Sequence, residues 1–275
     1  MSLKLTIITI NFNNVEGLKS TFRSVLNQSY TDFEYIIIDG GSKDGSIALI
    51  QSFQNKFQDQ KRNVRFKWTS ESDTGIYNAM NKGILKSTGE YCLFLNSGDY
   101  LADDSVLENV FKLSLTKDVI YGNLITISKG NVIGKIKGKD TITFLDIYSS
   151  NIKHQASFIR RDLFEKLGLY DESLKISADW AFFLKSIGIN RASFQYMDID
   201  IAFFDSNGMS NNNPEFCRKE ARIIIDQFIP KLMQEDYTLL KKYKSIRQID
   251  NTKLGWLLFR SLAKVCKIFS RNKVL

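Results

Sequence analysis

Apolar runs and helical spacings alternate from the first residues onward. Residues 5–10 (LTIITI) form an unbroken run of apolar and β-branched residues, which predicts a buried strand. Val15, Leu18, Phe22, Val25 and Leu26 then recur at three- and four-residue steps and predict a helix over 15–26, with Asn14 in the N-cap position. A second strand follows at 35–39 (YIIID). The turn residues 40–46 (GGSKDGS) lead into a helix through Ile47, Leu49, Ile50 and Phe53. Residues 64–68 predict a third strand, 76–85 a helix and 91–95 (YCLFL) a fourth strand. Strands without polar alternation, separated by helices, need cover on both faces, so the first hundred residues predict a doubly wound, mostly parallel α/β sheet.

Beyond residue 100 the order loosens. The pattern predicts a helix near 104–115, a strand at 118–123, β-like stretches at 124–128 and 131–136 and a short helix near 141–148. A strand over 154–160 (HQASFIR), helices near 161–167 and 178–187 and a strand near 194–204 follow. With no Pro- or Gly-rich linker, residues 1–212 are expected to form one domain. Residues 213–275, punctuated by Pro214 and Pro230, are expected to form a helical extension.

Composition narrows the class. A chain of 275 residues with 43% hydrophobic residues and only two prolines is globular, neither disordered nor collagen-like. Its three cysteines (Cys92, Cys217, Cys266) are odd in number and widely spaced, which suggests a reducing compartment rather than a disulfide framework or zinc cluster. The opening residues lack a signal-peptide pattern, and no apolar run approaches the roughly 20 residues of a membrane span. A cytoplasmic protein is expected.

The net charge of +8 is mostly a property of the tail. No acid follows Asp250, whereas Lys253, Arg260, Lys264, Lys267, Arg271 and Lys273 supply six of the eight charges, so nucleic acid is not an expected partner. Across 253–271 the apolar Leu254, Leu258, Leu262, Val265 and Phe269 take one helical face. The basic Lys253, Arg260, Lys264, Lys267 and Arg271 fall in a separate stripe roughly 60° wide. Such a helix suits an anionic membrane surface; the alternative is that its apolar face packs on the domain or forms a homodimer.

Three acids follow the ends of successive strands: Asp39, Asp73 and Asp99. Ligands of open parallel sheets collect at those ends, although any one of the three acids could simply cap a turn. Neither G-x-G-x-x-G nor G-x-x-x-x-G-K-[ST] occurs: Asn11-Phe12-Asn13-Asn14 follow the first strand. What remains is a crevice with acids for base edges, ribose hydroxyls and a divalent cation.

TIITINFNN, YIIIDGGSKDGS, SESDTGIYNAMNKG, GEYCLFLNSGDYL, HQASFIRRDLF and ISADWAFF, in that order and spacing over residues 4–210, resemble the family 2 glycosyltransferases of GT-A fold, in particular bacterial enzymes of cell-surface polysaccharide synthesis. The resemblance implies a Rossmann-like, mostly parallel sheet flanked by helices. It also implies inverting transfer of a sugar from a nucleotide sugar, usually a UDP-sugar, to an acceptor hydroxyl. Carried over by residue, it puts Asn11 and Asn13 beside the nucleotide, Asp39 on the uracil imide N–H and Asp73 on base or ribose. Lys82 is implied near phosphate charge, or is an ordinary solvated helix lysine. Asn96 and Ser97 would also line the nucleotide. Ser97 stands where the family's D-x-D motif has its first acid, which leaves Asp99 as the carboxylate for Mg²⁺ or Mn²⁺. Asp179 falls at the family's catalytic base; the alternative for an Asp there is a helix N-cap. His154, the single histidine, and Gln155 are implied to face donor sugar and acceptor. Trp180 would stack on a sugar or fill the core. Residues 207–210 resemble a loop that closes over the donor, or form an ordinary turn.

The expected protein is thus a peripheral glycosyltransferase on the inner face of the plasma membrane, acting on a lipid-linked or glycan acceptor. Two rivals are a sugar-nucleotide pyrophosphorylase, which should carry a Gly- and Arg-containing loop after the first strand, and a non-catalytic membrane-surface protein, to which Ser97 lends weight.

Overall fold

All seven residues of β1 (Leu5–Asn11) are buried, as an apolar run requires in a strand covered on both faces. The computed structural model describes residues 3–59, 64–149, 152–205, 213–250, 257, 258 and 260–262. β2 (Glu34–Asp39) pairs with β1 in parallel from Thr6↔Glu34 to Asn11↔Asp39. β3 (Arg65–Ser70) continues on that side, and β4 (Tyr91–Phe94) pairs parallel with the other edge of β1. The helices α1 (Val15–Leu26), α2 (Ser46–Asp59) and α3 (Ile76–Lys86) link these strands. α1 buries the stripe its spacing predicts, through Leu18, Phe22, Val25 and Leu26. Phe22 stacks on Phe53 of α2 at 4.5 Å and meets Tyr35 of β2 edge-on, which ties the helix layer to the sheet.

Because β2 and β4 lie on opposite sides of β1, the connections reverse direction there. The carboxyl ends of β1 and β4 therefore open a crevice at the switch point. The later strands enter in mixed sense: β8 (Ser157–Arg160) lies antiparallel between β4 and β6 (Val119–Ser128), and β9 (Phe194–Asp205) runs parallel to β6. β7 (Asn131–Ile136) pairs with β6 as a hairpin, and the two-residue β5 (Tyr100–Leu101) pairs with β9. Two residues show no periodicity, which is why β5 is invisible in the sequence pattern. Residues 154–156, expected to open a strand, form a 3₁₀ turn before β8, and the helix expected over 104–115 is the shorter α4 (Val106–Phe111). α5 (Phe144–Ser149), α6 (Asp162–Leu167) and α7 (Ala178–Phe183) complete this half, α7 widening into a π turn over Leu184–Ile189.

The chain divides into two units, Met1–Ile224 and Ile225–Leu275. α8 (Pro214–Phe228) starts in the first and ends in the second, and α9 (Lys231–Asp250) belongs to the second. Pro214 is the first residue of α8 and Pro230 immediately precedes α9, where a missing N–H costs nothing. Of the tail pattern 253–271, residues 257, 258 and 260–262 are helical and exposed; its other residues lie outside the described residues. No helix among the described residues is long and apolar enough to cross a membrane.

Candidate active site

At the end of β1, Asn11 is the register partner of Asp39 and donates from Nδ2 to the Asp39 carboxylate at 2.8 Å. Asp39 is fully buried and also accepts from Ser42 Oγ, Ser70 Oγ and the backbone N–H groups of Gly41 and Ser42, five donors in all with Asn11. Burial alone would push its pKa up; the hydrogen bonds from Ser42, Ser70 and Asn11 outweigh it and hold the carboxyl below its ordinary value. Asp39 is thus ionised and saturated by its own chain. Asn13, at a φ of 48°, donates its N–H to Ser42 Oγ and accepts from the Lys43 N–H. The two loops are fixed to each other by these bonds.

Asp73 is half-buried and accepts from the Gly75 N–H. A Cβ on Gly40 would lie 2.6 Å from Asp73 Oδ2 and 3.1 Å from the Phe12 ring. Only glycine lets these three residues close together. Phe12 is 64% exposed. An aromatic left in solvent at a strand end, beside a carboxylate, offers a face to a base. The signal for it in the sequence is an aromatic directly after a buried strand.

The second half of the site is built on the loop after β4. Asn14 caps α1 by accepting from the Gly17 N–H, and its Nδ2 donates to the Ser97 carbonyl while Ser97 Oγ donates back to the Asn14 carbonyl. Asp99 is 5% exposed, and burial pushes its pKa up to about 7 despite nearby His154, a hydrogen bond from Gln155 and backbone N–H groups of Asn96 and Asp205. His154 Nδ1 lies 2.8 Å from Asp179 Oδ2, and His154 Nε2 lies 3.5 Å from Asn96 Nδ2. Tyr77 Oη sits 3.1 Å from Asp179 Oδ1 and 2.6 Å from the Ile176 carbonyl. Asp179 is 5% exposed, inside the first turn of α7; the N-cap is Ser177. Its side chain is therefore aimed at the histidine rather than at its own helix end.

Asn11, Asn13, Asp39 and Asp73 thus gather at one end of the crevice, and Asn96, Ser97, Asp99, His154, Gln155 and Asp179 at the other. The Asn14–Ser97 pair bridges the two. Two further expected site residues have partners within the chain: Lys82 pairs with Glu71 at 3.0 Å and donates to the Ser72 carbonyl, next to Asp73, and Trp180 donates from Nε1 to the Ile147 carbonyl of α5. Asn78 and Asn81 of α3 hold Glu172. Tyr77 joins the site without any signal in the sequence, since its spacing is that of a core position. The loop 207–210 lies outside the described residues.

The donor set fits a hard divalent cation in one way. Among the described residues no three His, Cys, Asp or Glu side chains gather as a ligand group. The chain offers the Asp99 carboxylate and, on the same turn, the buried Asn96 Oδ1, which has no hydrogen-bond partner. One carboxylate and one amide oxygen suit an ion that takes its remaining ligands from phosphate and water.

Residues 6–168 match the model of glycosyl transferase family 2. The chain is 29% identical over 220 residues to a PGL/p-HBAD biosynthesis glycosyltransferase of Mycobacterium bovis, covering 78% of this chain and 82% of that protein. Among solved structures, S. aureus TarS 1-349 in complex with UDP-GlcNAc superposes with a TM-score of 0.61 at 18% identity, covering 85% of this chain and 69% of that one. The match spans 41% of the longer TarS chain. A mannosyltransferase of Pyrobaculum calidifontis in complex with GDP-Man and Mn²⁺ superposes with a TM-score of 0.54 at 14% identity, covering 73% of this chain and 56% of that one.

Proposed function

The chain belongs to glycosyltransferase family 2 and has its GT-A fold, and from that premise we propose that it transfers a sugar from a UDP-sugar to an acceptor hydroxyl with inversion at the anomeric carbon. The observation that carries the reading is that His154, held 2.8 Å from the Asp179 carboxylate 25 residues away in sequence, is also near enough to Asp99 to influence its charge. The uracil stacks on Phe12, and Asp73 receives a base or ribose donor. Asp39 holds Asn11, Ser42 and Ser70 in place, and an imide N–H reaches it only by replacing one of its five donors.

Asp99 and Asn96 hold the cation. A bound Mg²⁺ or Mn²⁺ supplies charge stabilisation to the leaving diphosphate. As the acceptor oxygen bonds to the anomeric carbon, the carbon–oxygen bond to the diphosphate breaks and the hydroxyl proton passes to Asp179. His154 Nδ1, at 2.8 Å, and Tyr77 Oη, at 3.1 Å, hold that carboxylate in orientation. A carboxylate facing the acceptor hydroxyl takes its proton as bonding develops.

We assign the acceptor to lipid-linked or surface glycans and the basic, amphipathic sequence 253–271 to an anionic membrane surface. Leu257, Leu258 and Leu262 are exposed on that stretch, and the Mycobacterium bovis relative is named for PGL/p-HBAD biosynthesis.

Thermal-shift titration with UDP, GDP and CDP, with and without Mn²⁺, tests the donor. UDP with Mn²⁺ should stabilise most, and absence of any nucleotide shift would remove the donor reading. Asp179→Asn should lower kcat by about 10²–10⁴-fold while leaving the UDP shift intact; unchanged turnover would move the base elsewhere.

A further inference from the structure

The run that carries Asp179 is held from outside the region matched by the family. Ser177 is the N-cap of α7 and makes no side-chain cap bond, and the backbone leading into it is held instead by a side chain of another helix. The carboxylate of Glu220, on α8, takes three consecutive ones: the N–H of Lys175 at 2.5 Å, of Ile176 at 3.1 Å and of Ser177 at 2.9 Å. Glu220 is 3% exposed, although it stands on a helix whose neighbouring positions face solvent. A buried carboxylate is costly unless its bonds are satisfied, and here they are satisfied by the backbone leading to Asp179. The Ile176 carbonyl, between two of these N–H groups, accepts from Tyr77 Oη, which also contacts Asp179. One peptide segment is thus gripped from α8 on its N–H side and from α3 on its carbonyl side.

We infer that Glu220 is a positioning residue for Asp179, and that the start of the C-terminal extension is part of the catalytic machinery. Asp179 lies two residues past the last gripped N–H. A shift of this segment moves its carboxylate relative to His154 and the acceptor, and misplacements near 1 Å cost about a hundredfold in rate. The nucleotide end of the crevice stands on β1, β2 and β3 and does not depend on Glu220. The inference rests on the proposed base role of Asp179.

The test uses the full chain, Mn²⁺ and a panel of UDP-sugars that includes UDP-GlcNAc, with UDP release as the readout. In Glu220→Gln the amide retains one acceptor oxygen and sets an NH₂ against backbone N–H groups. Turnover should fall by about 10–100-fold with the UDP thermal shift unchanged. In an Asp179→Asn background the same change should cost nothing further, because coupled residues are not additive; a purely structural role would lower both backgrounds alike. Hydrogen exchange of the 175–179 peptide should accelerate in Glu220→Gln, while peptides over 11–13 and 39–42 stay unchanged. Unchanged exchange at 175–179, or an equal loss of turnover in both backgrounds, overturns the inference. If the wild-type chain releases UDP from no donor, the transferase reading fails, and the exchange measurement still decides whether Glu220 fixes this segment.

Discussion

Replacing Asp99 with asparagine should make the protein more stable, and increasingly so as pH rises. Asp99 is 5% exposed and burial pushes its pKa up to about 7, against about 3.9 in an unfolded chain. The folded state therefore holds the proton more tightly than the unfolded one, and stability falls as pH rises between these two values. Each pKa unit corresponds to about 1.4 kcal/mol. The penalty is then about 1–2 kcal/mol at pH 5 and reaches about 4 kcal/mol at pH 8, where the folded protein carries a buried, ionised carboxylate. Asparagine keeps the size and part of the hydrogen bonding without the charge. Its advantage should grow by roughly 2–3 kcal/mol from pH 5 to pH 8, or about 5–10 °C in Tm for a unit of this size. Differential scanning fluorimetry of both proteins in chelator, at pH 5, 6, 7 and 8, measures this directly. Parallel Tm curves would refute the reasoning, because they would mean that Asp99 is ionised without cost. Mn²⁺ should narrow the gap at pH 8 by stabilising the wild type alone, while Asp99→Asn should abolish metal-dependent turnover.

Other perturbations separate the two ends of the crevice. Phe12→Ala should weaken UDP binding by roughly 1–3 kcal/mol, the range of base–aromatic stacking, with little change in Tm because the ring is exposed; calorimetric titration checks both. Asp39→Asn removes an ionised acceptor of five bonds and should destabilise by about 2–4 kcal/mol at pH 7, measured by urea unfolding. Since its folded pKa is depressed, the wild-type advantage should be present above pH 4 and disappear as pH falls through the folded value. Deleting residues 252–275 should release the protein from anionic liposomes, each basic group near the surface contributing about 1 kcal/mol; cosedimentation that survives the deletion would reject the membrane assignment.

The local sequence determined the first half of the fold almost residue by residue. The helix expected over 15–26 is α1, with Asn14 as its cap, and the runs at 5–10, 35–39 and 91–95 are buried parallel strands. Burial on both faces leaves the same signature in any such strand, which makes it readable without knowing the partners. The clustering of Asn11 with Asp39 was legible for the same reason: adjacent parallel strands place their carboxyl ends side by side.

Only the tertiary structure decided the rest, because those interactions join residues with no fixed sequence spacing. Lys82 carries the right charge for phosphate, yet Glu71 on the loop after β3 holds it. Trp180 has the right ring for a sugar, yet its N–H is spent on α5. Whether Asp179 capped its helix or faced a histidine depended on a contact across 25 residues. Asp99 reads as an ordinary acid in the sequence and becomes a proton-binding one because the packed chain excludes water from it. Glu220, on a charged amphipathic stretch, reads as solvated; its burial follows from three backbone N–H groups that no local pattern announces. Periodicity reports which face of an element is covered, whereas desolvation and pairing of a polar group depend on what covers it.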